Sequence, residues 1–89
     1  MREFLIGKNT AKTEGGEPFT CEYTILIQES RGGFSCESYG IQVTLLQTGE
    51  QAQIHDLTVD GTRILELGDI LCRNTVTPCT LGDVIADWL

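Results

Sequence analysis

The chain has 89 residues, 40% hydrophobic and 21% charged, and 13 acidic against 6 basic side chains give it a formal net charge of −7. So short a chain assembles a single core, and its composition is that of a folded domain, not a disordered segment. The acidic balance excludes nucleic acid and anionic membrane surfaces as expected partners, because the basic residues are scattered and form no patch.

Near the N-terminus, Phe4 to Ile6 is the only apolar run. That is too short for a signal-peptide core, and no stretch approaches the ~20 apolar residues of a membrane span. The expected location is therefore the cytoplasm, where thiols stay reduced. A short strand is expected at about 2–6, followed by a long polar, glycine-rich loop.

The next segment, "FTCEYTILIQES", alternates: Phe19, Cys21, Tyr23, Ile25 and Ile27 on one side, Thr20, Glu22, Thr24 and Gln28 on the other. Leu26 is the exception on the polar side. "SYGIQVTLLQ" repeats the pattern with Tyr39, Ile41, Val43 and Leu45. One covered face and one wet face define antiparallel strands, at about 19–30 and 37–47. Since apolar positions are odd in both, paired positions must sum to an even number, which requires an odd loop. A turn of Arg31-Gly32-Gly33 satisfies this and sets Ile25 opposite Tyr39 and Tyr23 opposite Ile41. Longer odd loops satisfy the same parity.

After the turn "QTGEQ", "AQIHDLT" predicts a strand at about 51–57, with Ala52 and Ile54 inward. The period then changes. Ile64, Leu65, Leu67, Ile70 and Leu71 fall at helical spacing and predict a helix at about 60–73, with Thr58 or Asp60 as its cap. Arg73 and Asn74 close it, Asn74 tolerating left-handed backbone. Gly68 sits mid-helix at a cost of about 1 kcal/mol relative to Ala, in a place that would permit close approach to the sheet or to the last helix.

The last segment, "TVTPCTLGDVIADWL", predicts a helix at about 78–88 with Thr77 as N-cap and Pro78 in its first position. Leu81, Val84, Ile85 and Trp88 then form one inward stripe. The expected fold is α+β: a two-layer domain in which a four-stranded antiparallel β-meander carries two C-terminal helices on one face.

Tyr39-Gly40-Ile41, Asp56-Leu57-Thr58 and the run Thr77, Pro78, Leu81, Asp83, Val84, Ile85, Asp87, Trp88, Leu89 carry a resemblance over nearly the whole chain. They resemble a small family of unknown function from Gram-positive gut anaerobes. Its C-terminal motif is Ser/Thr-Pro-x-x-Leu-x-Asp-Val-Ile-x-Asp-Phe/Trp-Leu. The resemblance implies a bacterial origin and brings no activity.

Signals for chemistry are weak. Cys21, Cys36, Cys72 and Cys79 lack zinc-ligand spacing, and His55 is the one histidine. Cys79, placed in the first turn of the last helix, is the best candidate for a reactive thiol, because a helix N-terminus lowers thiol pKa. His55 beside Asp56 is the one acid–base pair, and alternation points it to solvent. Asp83 and Asp87, four apart, read as a solvated acidic face. The glycines in "EGGE", "RGGF" and "DGT" continue into no phosphate-binding pattern. No catalytic residue, metal site or cofactor is expected. Leu26 and Leu46, on the polar face, are the candidate contact surface, and Leu65 and Ile70 lie off the helical stripe. The leading expectation is a non-enzymatic interaction or regulatory module, binding a protein partner or itself through the open sheet face or an edge. The alternative is a small-molecule or metal-binding protein using Cys79, His55 and nearby acids.

Overall fold

A computed structural model describes residues 2–30 and 36–88. Strands β1 (Arg2–Lys12), β2 (Pro18–Ser30), β3 (Cys36–Leu45) and β4 (Glu50–Thr58) form one antiparallel sheet in sequential order. Helices α1 (Gly61–Arg73) and α2 (Leu81–Trp88) follow and cover one face. The α+β meander with two C-terminal helices is thus the observed fold. Its core joins the alternating residues Cys21, Tyr23, Ile25, Ile41 and Val43 to Ile64, Leu67 and Leu71 of α1 and to Val76, Leu81 and Ile85. Each fully buried aliphatic side chain contributes roughly 1.5–3 kcal/mol gross, so the two patterns stabilise each other.

The first strand is twice as long as its apolar run implies. It pairs with β2 from Arg2↔Ile27 to Lys12↔Pro18, and only 13–17 remain as a turn, closed by Thr13 and Glu17. The expected long loop is therefore corrected. Residues 8–12 hold Ala11 as their one apolar side chain, so alternation could not reveal them. The strand persists there because Asn9, opposite Cys21, reaches over to the end of α1. Its Nδ2 donates to the Cys72 carbonyl at 2.7 Å and to Thr75 Oγ1 at 2.9 Å. A bulge between Leu5 and Gly7 inserts Ile6, whose side chain packs against the core and lies directly over Gly68 of α1. Gly68 is thus the close approach its position implied.

Register between β2 and β3 differs from the three-residue turn. Ile25 faces Ile41 and Tyr23 faces Val43, and the last pair is Ser30↔Cys36. The parity rule holds with a loop two residues longer, and the expected turn at 31–33 lies outside the described residues. Between β3 and β4 the ladder steps from Ile41↔Ile54 to Tyr39↔Thr58, so Gly40 alone opposes His55 to Leu57. This wide bulge is turned by Asp56, whose φ is +55°.

Asp60 caps α1, its carboxylate accepting from the amides of Thr62 and Arg63. At the other end Asn74 keeps φ −93° and donates its side chain to the Ile70 carbonyl. The left-handed residue is Thr75, at φ +48°, not Asn74 as expected. Helix α2 begins at Leu81, one turn later than Thr77-Pro78 implied. Thr80 Oγ1 accepts the Thr77 amide at 3.2 Å, folding 77–80 into a turn that precedes the helix. Leu81 and Ile85 are buried, whereas Val84 and Trp88 are half-buried. Trp88 is thus not wholly inward as the stripe implied: its ring lies 4.6 Å from the Arg63 guanidinium of α1.

Candidate functional site: an apolar groove beside an edge strand

The reactive candidates are not brought together. Cys79 is exposed, but it sits in the turn before α2 and not inside the helix, so the argument from a helix N-terminus falls away. His55 is exposed on the opposite side of the sheet, with Nε2 3.4 Å from the Gln53 amide oxygen. Its neighbour Asp56 instead accepts from Ser38 Oγ at 2.6 Å. Asp83 and Asp87 are exposed on α2. Among the described residues no group of three or more His, Cys, Asp or Glu side chains could hold a metal ion.

Of the two expected contact leucines, Leu46 is exposed (44%), while Leu26 is buried (1%). Leu26 is therefore corrected from a surface residue to a packing residue on the open face. It lies opposite Gly40, and a side chain added at Gly40 would strike the Ile54 carbonyl and come within 2.9 Å of His55 Cα. The bulged β4 backbone thus folds over the place where a Cβ would stand. No alternation rule carries that information.

The exposed apolar residues that do converge lie on the helix face, at the start of α1. An open groove of 460 Å³ runs between the sheet and this helix end, lined among others by Phe4, Ile27, Tyr39, Gly61, Ile64 and Leu65. Phe4, 56% exposed, and Leu65, 53% exposed, form its outer walls. The Asp60 cap fixes where α1 starts. Gly61 sets that first turn beside the Tyr39 ring, where a Cβ would lie 3.6 Å from the tyrosine hydroxyl, at ordinary van der Waals distance. That hydroxyl has no hydrogen-bond partner among the described residues and is a donor available to an occupant of the groove. Beside the groove runs β1, an edge strand that pairs with β2 alone among the described residues. Sequence reasoning marked Leu65 as lying off the helical stripe but missed Phe4, because the burial of an edge residue depends on what stands next to the edge.

The groove is lined by apolar side chains together with Asp60, Thr62 and Tyr39, and it lies beside the edge strand β1. The class this defines is a small α+β domain, a four-stranded meander roofed by two helices. The chain belongs to a family of unknown function, DUF6514, whose pattern it matches over residues 2–89. No curated protein matches it, and no solved structure does.

Proposed function

We propose that this chain is a non-enzymatic protein-interaction module of the bacterial cytoplasm, which takes a partner polypeptide along β1 and into the adjoining groove. The observation that carries this reading is that Phe4 and Leu65, both more than half exposed, stand on the two walls of one groove beside the edge strand β1. Contiguous exposed apolar side chains mark contact surfaces, and a free edge supplies main-chain hydrogen bonds to an added strand. The unbridged thiols of Cys21, Cys72 and Cys79 suit a reducing compartment. The net charge of −7 argues for protein over nucleic acid as the partner.

The test is affinity capture with the wild-type chain and with a Phe4→Ser/Leu65→Ser variant, checked by thermal melting to be folded. The variant should lose the stoichiometric complex that the wild type forms, with itself or with another protein. A complex retained at wild-type strength would overturn the reading.

A further inference from the structure

We propose that β1 pairs antiparallel with β1 of a second copy of this chain, Glu3 of each copy standing against Lys8 of the other across a twofold axis. This rests on the reading of the β1 edge as a docking surface and names its occupant. The two edges of the sheet are unequal. At β4 the wide bulge at 55–57 and the left-handed Asp56 break the outer ladder, a common protection against strand addition. Strand β1 carries only the single-residue bulge at Ile6 over its eleven residues.

That bulge determines the register. Before it, even-numbered residues face the helices, as Phe4↔Ile25 shows; after it, odd-numbered ones do, as Gly7↔Tyr23 shows. Directly paired residues share a face. A self-pairing that joins the first half of one β1 to the second half of the other must therefore have an odd sum of positions. Sums of 11 and 13 both place the axis at the bulge. A sum of 13 sets Leu5 against Lys8. A sum of 11 sets Glu3 against Lys8 twice, on the open face, and Phe4 against Gly7 twice, on the helix face.

Each of these pairings meets a need visible in the single chain. Glu3 and Lys8 are exposed and enter no ion pair among the described residues, whereas the neighbouring Arg2 is already held by Glu29 and Glu37 at 3.5 and 2.8 Å. Phe4 gains a glycine to lie across, an arrangement that stabilises cross-strand pairs. Leu5, half exposed, meets its counterpart's bulge at the axis. The two grooves then adjoin the shared edge and are narrowed by it.

Sedimentation equilibrium of the full chain and of the Glu3→Lys and Lys8→Glu variants tests this. Both substitutions are on exposed side chains, and a cooperative melt verifies the fold, lowered slightly in Lys8→Glu because Glu22 stands directly opposite on β2. The wild type should dimerise. Each variant, which turns two attractive pairs into two like-charge pairs, should raise the dimer dissociation constant by about tenfold or more. Mixed in equal amounts, the variants should recover wild-type affinity as a heterodimer, because both lysines of one variant then stand against both glutamates of the other. A wild type that stays monomeric at millimolar concentration, or a dimer indifferent to both reversals, would sink the proposal. In the first case, capture of a different protein lost with Phe4→Ser/Leu65→Ser would leave the interaction module standing without self-pairing. Capture unaffected by that variant would remove the module as well.

Discussion

The Tyr23 hydroxyl donates a 2.9 Å hydrogen bond to the Val76 carbonyl, tying the middle of β2 to the segment between the two helices. Both residues are buried, and the Val76 amide in turn donates to the Leu71 carbonyl at the end of α1. One side chain thus holds the sheet, the end of α1 and the approach to α2 together. Tyr23→Phe leaves the carbonyl buried without its donor and should cost about 1–3 kcal/mol. Urea unfolding measures it, and a loss below about half a kcal/mol would show that α2 is held independently.

The same cluster predicts an alkaline limit to stability. Burial pushes the Tyr23 hydroxyl well above its ordinary range, and the adjacent Cys21 thiol adds to the effect. Burial also pushes the Cys21 thiol up, opposed in part by its hydrogen bond with Tyr23. Both groups are neutral when protonated, and in the unfolded chain they ionise near 9.0 and 10.0. The native state therefore keeps protons that the unfolded state releases. Stability is complete below about pH 9 and falls as pH rises toward the native pKa values. Urea midpoints should drop between about pH 9 and pH 10.5, and less steeply in Tyr23→Phe. Midpoints that hold level over that range would contradict the burial of both groups.

Gly40 is fixed by the β4 backbone and not by a flexible neighbour. A methyl there meets the Ile54 carbonyl and His55 Cα, neither of which can rotate away. Gly40→Ala should destabilise by about 2–4 kcal/mol, at or above the usual range for overpacking, and shift amide signals through the bulge at 55–57. Gly49→Ala has open space but a φ of +78°, so its cost is conformational, about 1 kcal/mol. Equal effects at the two sites would mean that the bulge yields.

Leu26, buried in β2, and Leu46, exposed in the turn after β3, separate a packing leucine from a surface one. Leu26→Ala should cost about 2–4 kcal/mol by leaving a cavity, while Leu46→Ser should stay within about half a kcal/mol. Chemical denaturation of the two variants side by side settles which one the protein uses for packing.

Trp88 should be worth less than a core tryptophan. Half-buried and stacked with Arg63, it loses about 1–3 kcal/mol on Trp88→Ala, against about 0.5–1 for Arg63→Ala. A double-mutant cycle should give a coupling of a few tenths to about 1 kcal/mol. Zero coupling would place the ring elsewhere in solution.

Much of the layer architecture was legible residue by residue. Tyr23, Ile25, Ile41 and Val43 alternate because a half-covered strand presents every second side chain to the core. Ile64, Leu67 and Leu71 recur because a helix presents one stripe. Asp60 announces the start of α1, since its carboxylate bonds to amides two and three residues ahead. The candidate site was legible only in fragments. Leu65 stood off its stripe, but nothing local to Phe4 says that it faces a groove, and nothing local to Leu26 says that it is roofed.

By itself the sequence determined the order and kind of the elements, the parity of the sheet and the faces that meet, all of which follow from periodicities within a few residues. Tertiary structure decided the length of β1, the register beside the β2–β3 loop, the late start of α2, the burial of Leu26 and the groove at the start of α1. The reason is the same each time. Asn9 extends its strand by reaching a helix end 63 residues away, and Gly40 makes room for a backbone that arrives one strand later. Such partners act through space, and a local pattern holds no record of them.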